Sequence, residues 1–332
     1  MRAYRLFSSL WLAISLLGIA ASGPSMANAA SAAPVDCTAG ESIQNALDLA
    51  EGNVVVMING FCQEAVVVSH DNVTLQGGTG MGVDGIDGGG GIGVQIIGAT
   101  NTKILQLTIQ GRTGVQAQRN AAVEIEGSEI MASRTGVNGI DGAFLRINNS
   151  DVQAPRRAIQ LIDGPNVVLE GNNITNDDIR RGTITLFRNI HLRMRGGNTV
   201  TNLSGPSALE ALASIVFQDG SGDTIVGNVV VNNMSFAGFN NVEVTGSAII
   251  RRNSTLILQD SSNDPARVTW TGPLSVGGRL VLEGPITIDG DIICNKFTNA
   301  FVSSPVGGVE SRVEGVTLLN GHRFIDCRNS AP

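Results

Sequence analysis

The chain has 332 residues, 42 of them glycine, and only 15% are charged. A formal net charge of −7 and 4% aromatic content count against a nucleic-acid binder, which needs a basic patch or stacking platforms. Lysine occurs only at Lys103 and Lys296, and the glycines suit many tight turns joining short strands.

In chain order, the first element is an export signal. Arg2 and Arg5 precede an apolar run over 6–21, and Ala27-Asn28-Ala29 supplies small residues for cleavage. Residues 1–29 read as a bacterial-type secretory signal peptide, too short for a membrane span. No later apolar run reaches ~18 residues. Residues 30–332 are therefore expected to form one exported domain, periplasmic or extracellular, with no integral membrane segment. Four cysteines allow about three connectivities. The economical one joins the sequence-local pairs, Cys37 with Cys62 and Cys294 with Cys327, one disulfide near each end.

An amphipathic helix is expected over about 36–51, where Ile43, Leu47 and Ala50 share a face. Strands follow at 53–58, 65–69 and 72–75. Then a phrase begins to repeat: Gly93-Val94-Gln95, Gly114-Val115-Gln116, Gly136-Val137-Asn138 and Ala158-Ile159-Gln160, at steps of 21, 22 and 22 residues. A second phrase runs Gly127-Ser128, Asn149-Ser150, Gly171-Asn172, Gly197-Asn198, Gly227-Asn228 and Gly246-Ser247, each followed two residues on by Ile or Val. Two phrases in step predict a solenoid, in which each repeat buries its apolar side only by stacking on its neighbours. Each rung of about 22 residues should hold three short strands, such as 115–118, 122–126 and 129–132. Runs such as Val123-Glu124-Ile125-Glu126 alternate with the period of two expected of half-buried strands. The best-registered rungs span about 93–253; the period loosens after Thr183, with an insertion over 201–213. Residues 254–332 read as closing rungs and a cap, with strands at 255–258, 279–282 and 286–288.

Glu41-Ser42-Ile43-Gln44-Asn45-Ala46-Leu47, the strand after it, Gly60-Phe61-Cys62-Gln63-Glu64, and Asn72-Val73-Thr74-Leu75-Gln76-Gly77 carry a resemblance. They resemble the opening of the pectin-lyase-like right-handed parallel β-helix superfamily, where a cap helix leads into the first rung. The resemblance implies an all-β, right-handed parallel β-helix with an N-terminal cap helix. Many members of that superfamily act on acidic polysaccharides outside the cell, while others are adhesins. The motifs of its characterised enzymes are missing: Asn176-Asp177-Asp178 and Gly321-His322-Arg323 match polygalacturonase signatures only in fragments, and pectate lyase and pectin methylesterase signatures are absent.

Stacked rungs set equivalent residues in columns ~4.8 Å apart. Two residues before the first phrase come Arg112, Arg134 and Arg156, then Arg181, thickened by Arg157 and Arg180. Stacked like charges repel, and arginine suits bidentate contact with carboxylate or sulfate, so this row is a candidate seat for acidic sugars. Gln95, Gln116, Asn138 and Gln160, followed by Thr185, form an amide column that either bonds sugar hydroxyls or bonds to itself along the stack. Three residues on come Arg119, Asp141, Asp163, Arg188 and Asp219. Asp141 and Asp163 are candidate catalytic carboxylates or Ca²⁺ ligands, flanked by Arg119 and Arg188, although Asp-Gly is also an ordinary turn dipeptide. A second face sets Glu124 beside Arg146 and Glu170 beside Arg195, with His191 nearby. The expected function is recognition of an acidic polysaccharide, with lyase or hydrolase chemistry at the aspartates. The alternative is a non-catalytic surface solenoid or adhesin whose columns serve stability.

Overall fold

A chain that alternates inward apolar with outward polar residues, and breaks every few residues at a left-handed corner, coils rather than forming a flat sheet. The computed structural model describes residues 31–78, 83–177, 179–219, 222–259, 268–283, 286–295, 301–303, 316–318, 323–325 and 328–329. The signal segment, Asp178, His322 and Cys327 lie outside the described residues.

The chain is a parallel β-helix with three sheets. Sheet I has 14 strands, running from Ser31–Asp36 to Arg328–Asn329. One rung shows the pattern: Ala122–Glu126 lies in sheet I, and Glu129–Ile140 then supplies sheet II over 129–132 and sheet III over 135–140. Phe144–Asn148 returns to sheet I in parallel register, with Val123 opposite Leu145. Strands expected as separate in sheets II and III are thus one bent strand here, with a bulge between Ala132 and Thr135.

Inward columns make the core. Ile104, Ile125, Ile147, Leu169 and Met194 stack in register in sheet I, all buried. Each such side chain contributes about 1.5–3 kcal/mol of burial. The first phrase does the same for sheet III, where Val94, Val115, Val137 and Ile159 align. The looser period after Thr183 is visible as rung offsets: Ile159 pairs with Ile184 and Ile184 with Leu209, but Leu209 pairs with Val229.

The corner from sheet I to sheet II explains the second phrase. Its first residue adopts positive φ, at Gly127 (55°), Asn149 (48°), Gly171 (66°) and Gly197 (70°). Glycine and asparagine tolerate that conformation best. The second residue turns inward and caps the preceding rung: the Ser150 hydroxyl accepts from the Ser128 N–H (3.1 Å), and Asn172 Oδ1 accepts from the Ser150 N–H (3.0 Å). Asn198 Oδ1 then accepts from the Asn172 N–H (3.1 Å), and the Asp223 carboxylate from the Asn198 N–H (2.8 Å). The last two copies of the phrase do not belong to this corner. Gly227-Asn228 and Gly246-Ser247 sit between sheets II and III, where the Ser247 N–H donates to Asn228 Oδ1 (2.8 Å) and a Cβ on Gly246 would meet the Gly227 carbonyl at 2.3 Å.

Asp223 ends the buried ladder with a carboxylate rather than an amide. Burial pushes its carboxyl above the ordinary value, against the lowering effect of the Asn198 bonds. An acid whose folded pKa is raised favours folding while it stays protonated, and loses that contribution as pH rises through the folded value. Asp223→Asn is therefore expected to stabilise the protein by about 1 kcal/mol at about pH 8, with the gain shrinking towards about pH 4. Thermal melts of both proteins across that range check this.

At the N-terminus, Ser31–Asp36 is a strand that extends sheet I against Val54–Asn59, and a 3-10 turn covers Cys37–Ala39. The α-helix is accordingly shorter than expected, Ile43–Asp48, with Ile43 and Leu47 buried on the first rung. Glu64 caps it: Oε1 accepts from the Ile43 N–H (2.6 Å) and Oε2 from the Ser42 hydroxyl (2.8 Å). Gln44 seals the edge of sheet III by accepting from the Val67 N–H (2.7 Å) and donating to the Val67 carbonyl (3.3 Å). The Cys37–Cys62 disulfide ties this cap to the first rung. Cys294 is also disulfide-bonded, while its expected partner Cys327 lies outside the described residues. Glu64→Ala, which strands the Ile43 and Gln44 N–H groups, is expected to cost about 1–2 kcal/mol in urea unfolding.

Candidate functional site

The outer face of sheet III and its two bordering corners carry the residues singled out in the sequence. The amide column is in register: Gln95 opposes Gln116, Gln116 opposes Asn138, Asn138 opposes Gln160 and Gln160 opposes Thr185. Glu210 continues it on the next rung. These amides are bonded only in part. Asn138 Nδ2 donates to Gln116 Oε1 (3.4 Å) and Gln116 Nε2 to Gln118 Oε1 (3.1 Å), but the buried Asn138 Oδ1 receives no donor. Gln160 is instead drawn sideways, its Oε1 accepting from Arg157 Nη1 (3.4 Å).

The arginine row lies along the corner between sheets II and III. There the bulge sets Ser133 and Arg134 against the single residue Arg112. Arg157 stands opposite Thr135, and Arg156 and Arg181 precede the strands of successive rungs. Arg112, Arg156, Arg180 and Arg181 are exposed, whereas Arg134 and Arg157 are half-buried. Burial, then the charges of Arg181, Arg134 and Arg156, lowers the Arg157 pKa from its ordinary value; Glu210 alone opposes them. Among the described residues no ion pair engages Arg112, Arg134, Arg156, Arg157 or Arg181. Four guanidiniums thus share one neighbourhood with Glu210 as the carboxylate that offsets them among the described residues, and stacked like charges cost stability.

Beyond the amides runs a second outward column, which the sequence reading did not single out. Ile140, Ile162, Phe187 and Leu212 stand in register there, half-buried. Period-two alternation predicts a polar residue at these positions, so this apolar strip is a departure from it.

The next corner holds Arg119, Asp141, Asp163 and Arg188, with φ of 58°, 52°, 62° and 68°. Main-chain bonds put them in one column: Asp141 N–H donates to the Ile162 carbonyl, Asp163 N–H to that of Phe187, and Arg188 N–H to that of Leu212. Asp163 pairs with Arg188 at 2.8 Å. Asp219 is not in this column, contrary to the sequence alignment. Ala213 takes that place, and Asp219 lies past a strand of sheet I, paired with Arg193. Calcium takes about six to eight oxygen ligands. Asp141 and Asp163 offer two carboxylates, one already engaged by a guanidinium, and no group of three or more His, Cys, Asp or Glu able to hold a metal occurs among the described residues. The pair does not fit a resident Ca²⁺ site.

On sheet I, charges alternate along the stack, from Lys103 to Glu124 (3.1 Å), Glu124 to Arg146 (4.0 Å) and Arg146 to Glu170 (3.8 Å). Glu170 thus pairs with Arg146, while Arg195 is beside it through its N–H bond to the Leu169 carbonyl. Exposed pairs of this kind contribute about 0–1 kcal/mol each. His191, exposed, stands between Asn166 and Ile215. No helix among the described residues is long and apolar enough to cross a membrane.

Comparison with known proteins bears on this architecture. Three similar solved structures are the Dettilon tailspike protein, an alginate lyase from Paenibacillus sp. str. FPU-7 and a pectin methylesterase from Yersinia enterocolitica. The tailspike is 15% identical with a TM-score of 0.43, the match covering 85% of this chain and 64% of the tailspike chain, so this chain spans less than two thirds of it. The lyase is 12% identical (TM-score 0.43; 89% of this chain, 97% of that one), as is the esterase (TM-score 0.39; 86% and 93%). No curated protein matches the sequence. The right handed beta helix region family matches residues 92–263, the stretch that holds the amide column, the arginine row and the aspartate corner. The chain belongs to that right-handed parallel β-helix family.

Proposed function

We propose that the outer face of sheet III binds an acidic polysaccharide, a polyuronate chain laid across successive rungs. The observation that carries this reading is the guanidinium cluster at Arg134, Arg156, Arg157 and Arg181, only partly offset by Glu210, with Arg157 depressed by burial and by its neighbours. Carboxylates spaced along a polymer relieve that repulsion and accept bidentate bonds. The amide column supplies partners for hydroxyls along the same face. The strip of Ile140, Ile162, Phe187 and Leu212 offers an apolar bed for the C–H faces of the sugars. Arg112 and Arg180 extend the cationic edge. The Cys37–Cys62 disulfide supports function in an oxidising compartment outside the cytoplasm.

On this reading Asp141 and Asp163, with Arg119 and Arg188, border the bound chain on its far side and are the groups to act on it. Asp141→Ala then leaves binding intact and removes cleavage, read as unsaturated uronate ends or new reducing ends. Electrophoresis through gels containing polygalacturonate or alginate tests binding itself. The wild-type chain is expected to be retarded by a polyuronate and released by about 0.5 M NaCl, which screens exposed charges within a few ångströms. Mobility unchanged by every polyuronate rejects the proposal, and leaves the columns the purely stabilising role that the Asn138–Gln116 bond already illustrates.

A further inference from the structure

Sheet I carries an aromatic hollow that lies apart from the face just described. Its outward column reads Arg193, Phe217, Gly238, Ile257, each opposite the next. Phe236, two residues before Gly238, stands opposite Ile215 on the rung of Phe217. The rings of Phe217 and Phe236 therefore meet diagonally, with centroids 5.4 Å apart and planes inclined by 49°. Phe217 is 49% exposed, so its ring face is open to a ligand. Gly238 has no side chain between Phe217 and Ile257, so main chain forms the floor. A Cβ there would lie 3.3 Å from Phe236 Cε1 and 3.8 Å from Phe217 Cδ1. The depression has a volume of about 390 Å³, and Asn240 and Gln259 reach its rim.

Its electrostatics differ from those of sheet III. Arg193 Nε donates to Asp219 Oδ2 at 2.7 Å and its Nη2 contacts the same oxygen, so among the described residues lining the hollow one cation is matched by one anion. The site has apolar ring faces, a bare peptide floor, a balanced ion pair and two amides. A ligand that matches all of these has an apolar face edged by hydroxyls and carries no charge.

We propose that this hollow binds a neutral sugar ring, stacked on Phe217 and Phe236 over Gly238, with its hydroxyls bonded by the Arg193–Asp219 pair and the rim amides. Aromatic faces stack on the C–H side of a pyranose, and planar charged and amide side chains reach two neighbouring hydroxyls at once. The site is independent of the polyuronate proposal, being on another sheet and of balanced charge.

The test is electrophoresis through gels containing hydroxyethyl cellulose, galactomannan or dextran. At least one is expected to retard the wild-type chain, with the retardation persisting in about 0.5 M NaCl. Phe217→Ala removes the exposed ring, and Gly238→Val fills the hollow from its floor with a residue suited to a strand. Each is expected to weaken retardation at least about tenfold. Substitutions in the arginine row leave it unchanged, which separates this site from that on sheet III. Retardation by none of the three polymers, or retardation that survives both variants, overturns the proposal. So does retention on phenyl-agarose alone, which marks the patch as a protein-docking surface instead.

Discussion

Asn198→Leu is expected to destabilise the protein by about 3–5 kcal/mol, the largest effect of any single polar substitution considered. Leucine keeps the volume and removes the network. Asn198 is fully buried; its Oδ1 accepts from the Asn172 N–H (3.1 Å) and from Asn172 Nδ2 (3.0 Å). Its Nδ2 donates to the Leu169 carbonyl (3.2 Å) and to Asp223 Oδ1 (2.9 Å). The Leu169 carbonyl keeps the Arg195 N–H, but the Asn172 N–H is left buried without an acceptor, and the buried Asp223 carboxylate loses a donor. Asn198→Ser is the informative control. Serine does this work at Ser150, whose hydroxyl accepts from the Ser128 N–H, so it should cost about half as much. Urea unfolding of the two variants separates them. Equal losses would mean that volume rather than hydrogen bonding holds this corner.

The second large effect is on binding. The triple variant Arg134→Ala, Arg156→Ala, Arg157→Ala is expected to bind a polyuronate about 100-fold more weakly, ~2.8 kcal/mol, while its thermal midpoint holds or rises. Those two outcomes belong together. Arginines retained only for packing would lower stability on removal, since the stem of half-buried Arg157 covers apolar surface. Arginines that repel one another in the free protein relax when two or three are deleted. A triple variant that melts lower and binds as well as wild type contradicts the reading on both counts.

Much of this surface was legible in the sequence because its marker is rigid. The Gly-Val-Gln phrase has an inward valine in sheet III, so the residues beside it fall into true columns, and Gln95, Gln116, Asn138 and Gln160 stack as the spacing implies. The second phrase misled where two corners share one chemistry. A positive-φ glycine followed by a small polar residue serves the turn into sheet II at Gly197-Asn198 and the turn into sheet III at Gly227-Asn228. Spacing alone does not distinguish them. Asp219 was misplaced for a related reason: the true occupant of its column is Ala213, a residue with nothing to mark it. The cap was read as one longer helix because Asp36, which accepts from the Thr38 and Ala39 N–H groups, ends a strand and starts a 3-10 turn before the helix begins. The aromatic hollow was invisible, since Phe217 and Phe236 come together only where the rung contracts after Leu209.

Dicarbonyl labelling of arginine side chains, with and without an oligogalacturonate and read by peptide mass spectrometry, tests most directly where the acidic chain sits. The account predicts that Arg134, Arg156, Arg157 and Arg181 lose labelling together when the oligouronate is present, while the exposed Arg195 and Arg279, on the sheet I side of the coil, label as before. Undiminished labelling of the row, in a protein that nevertheless binds the oligouronate, would place the site elsewhere and contradict it.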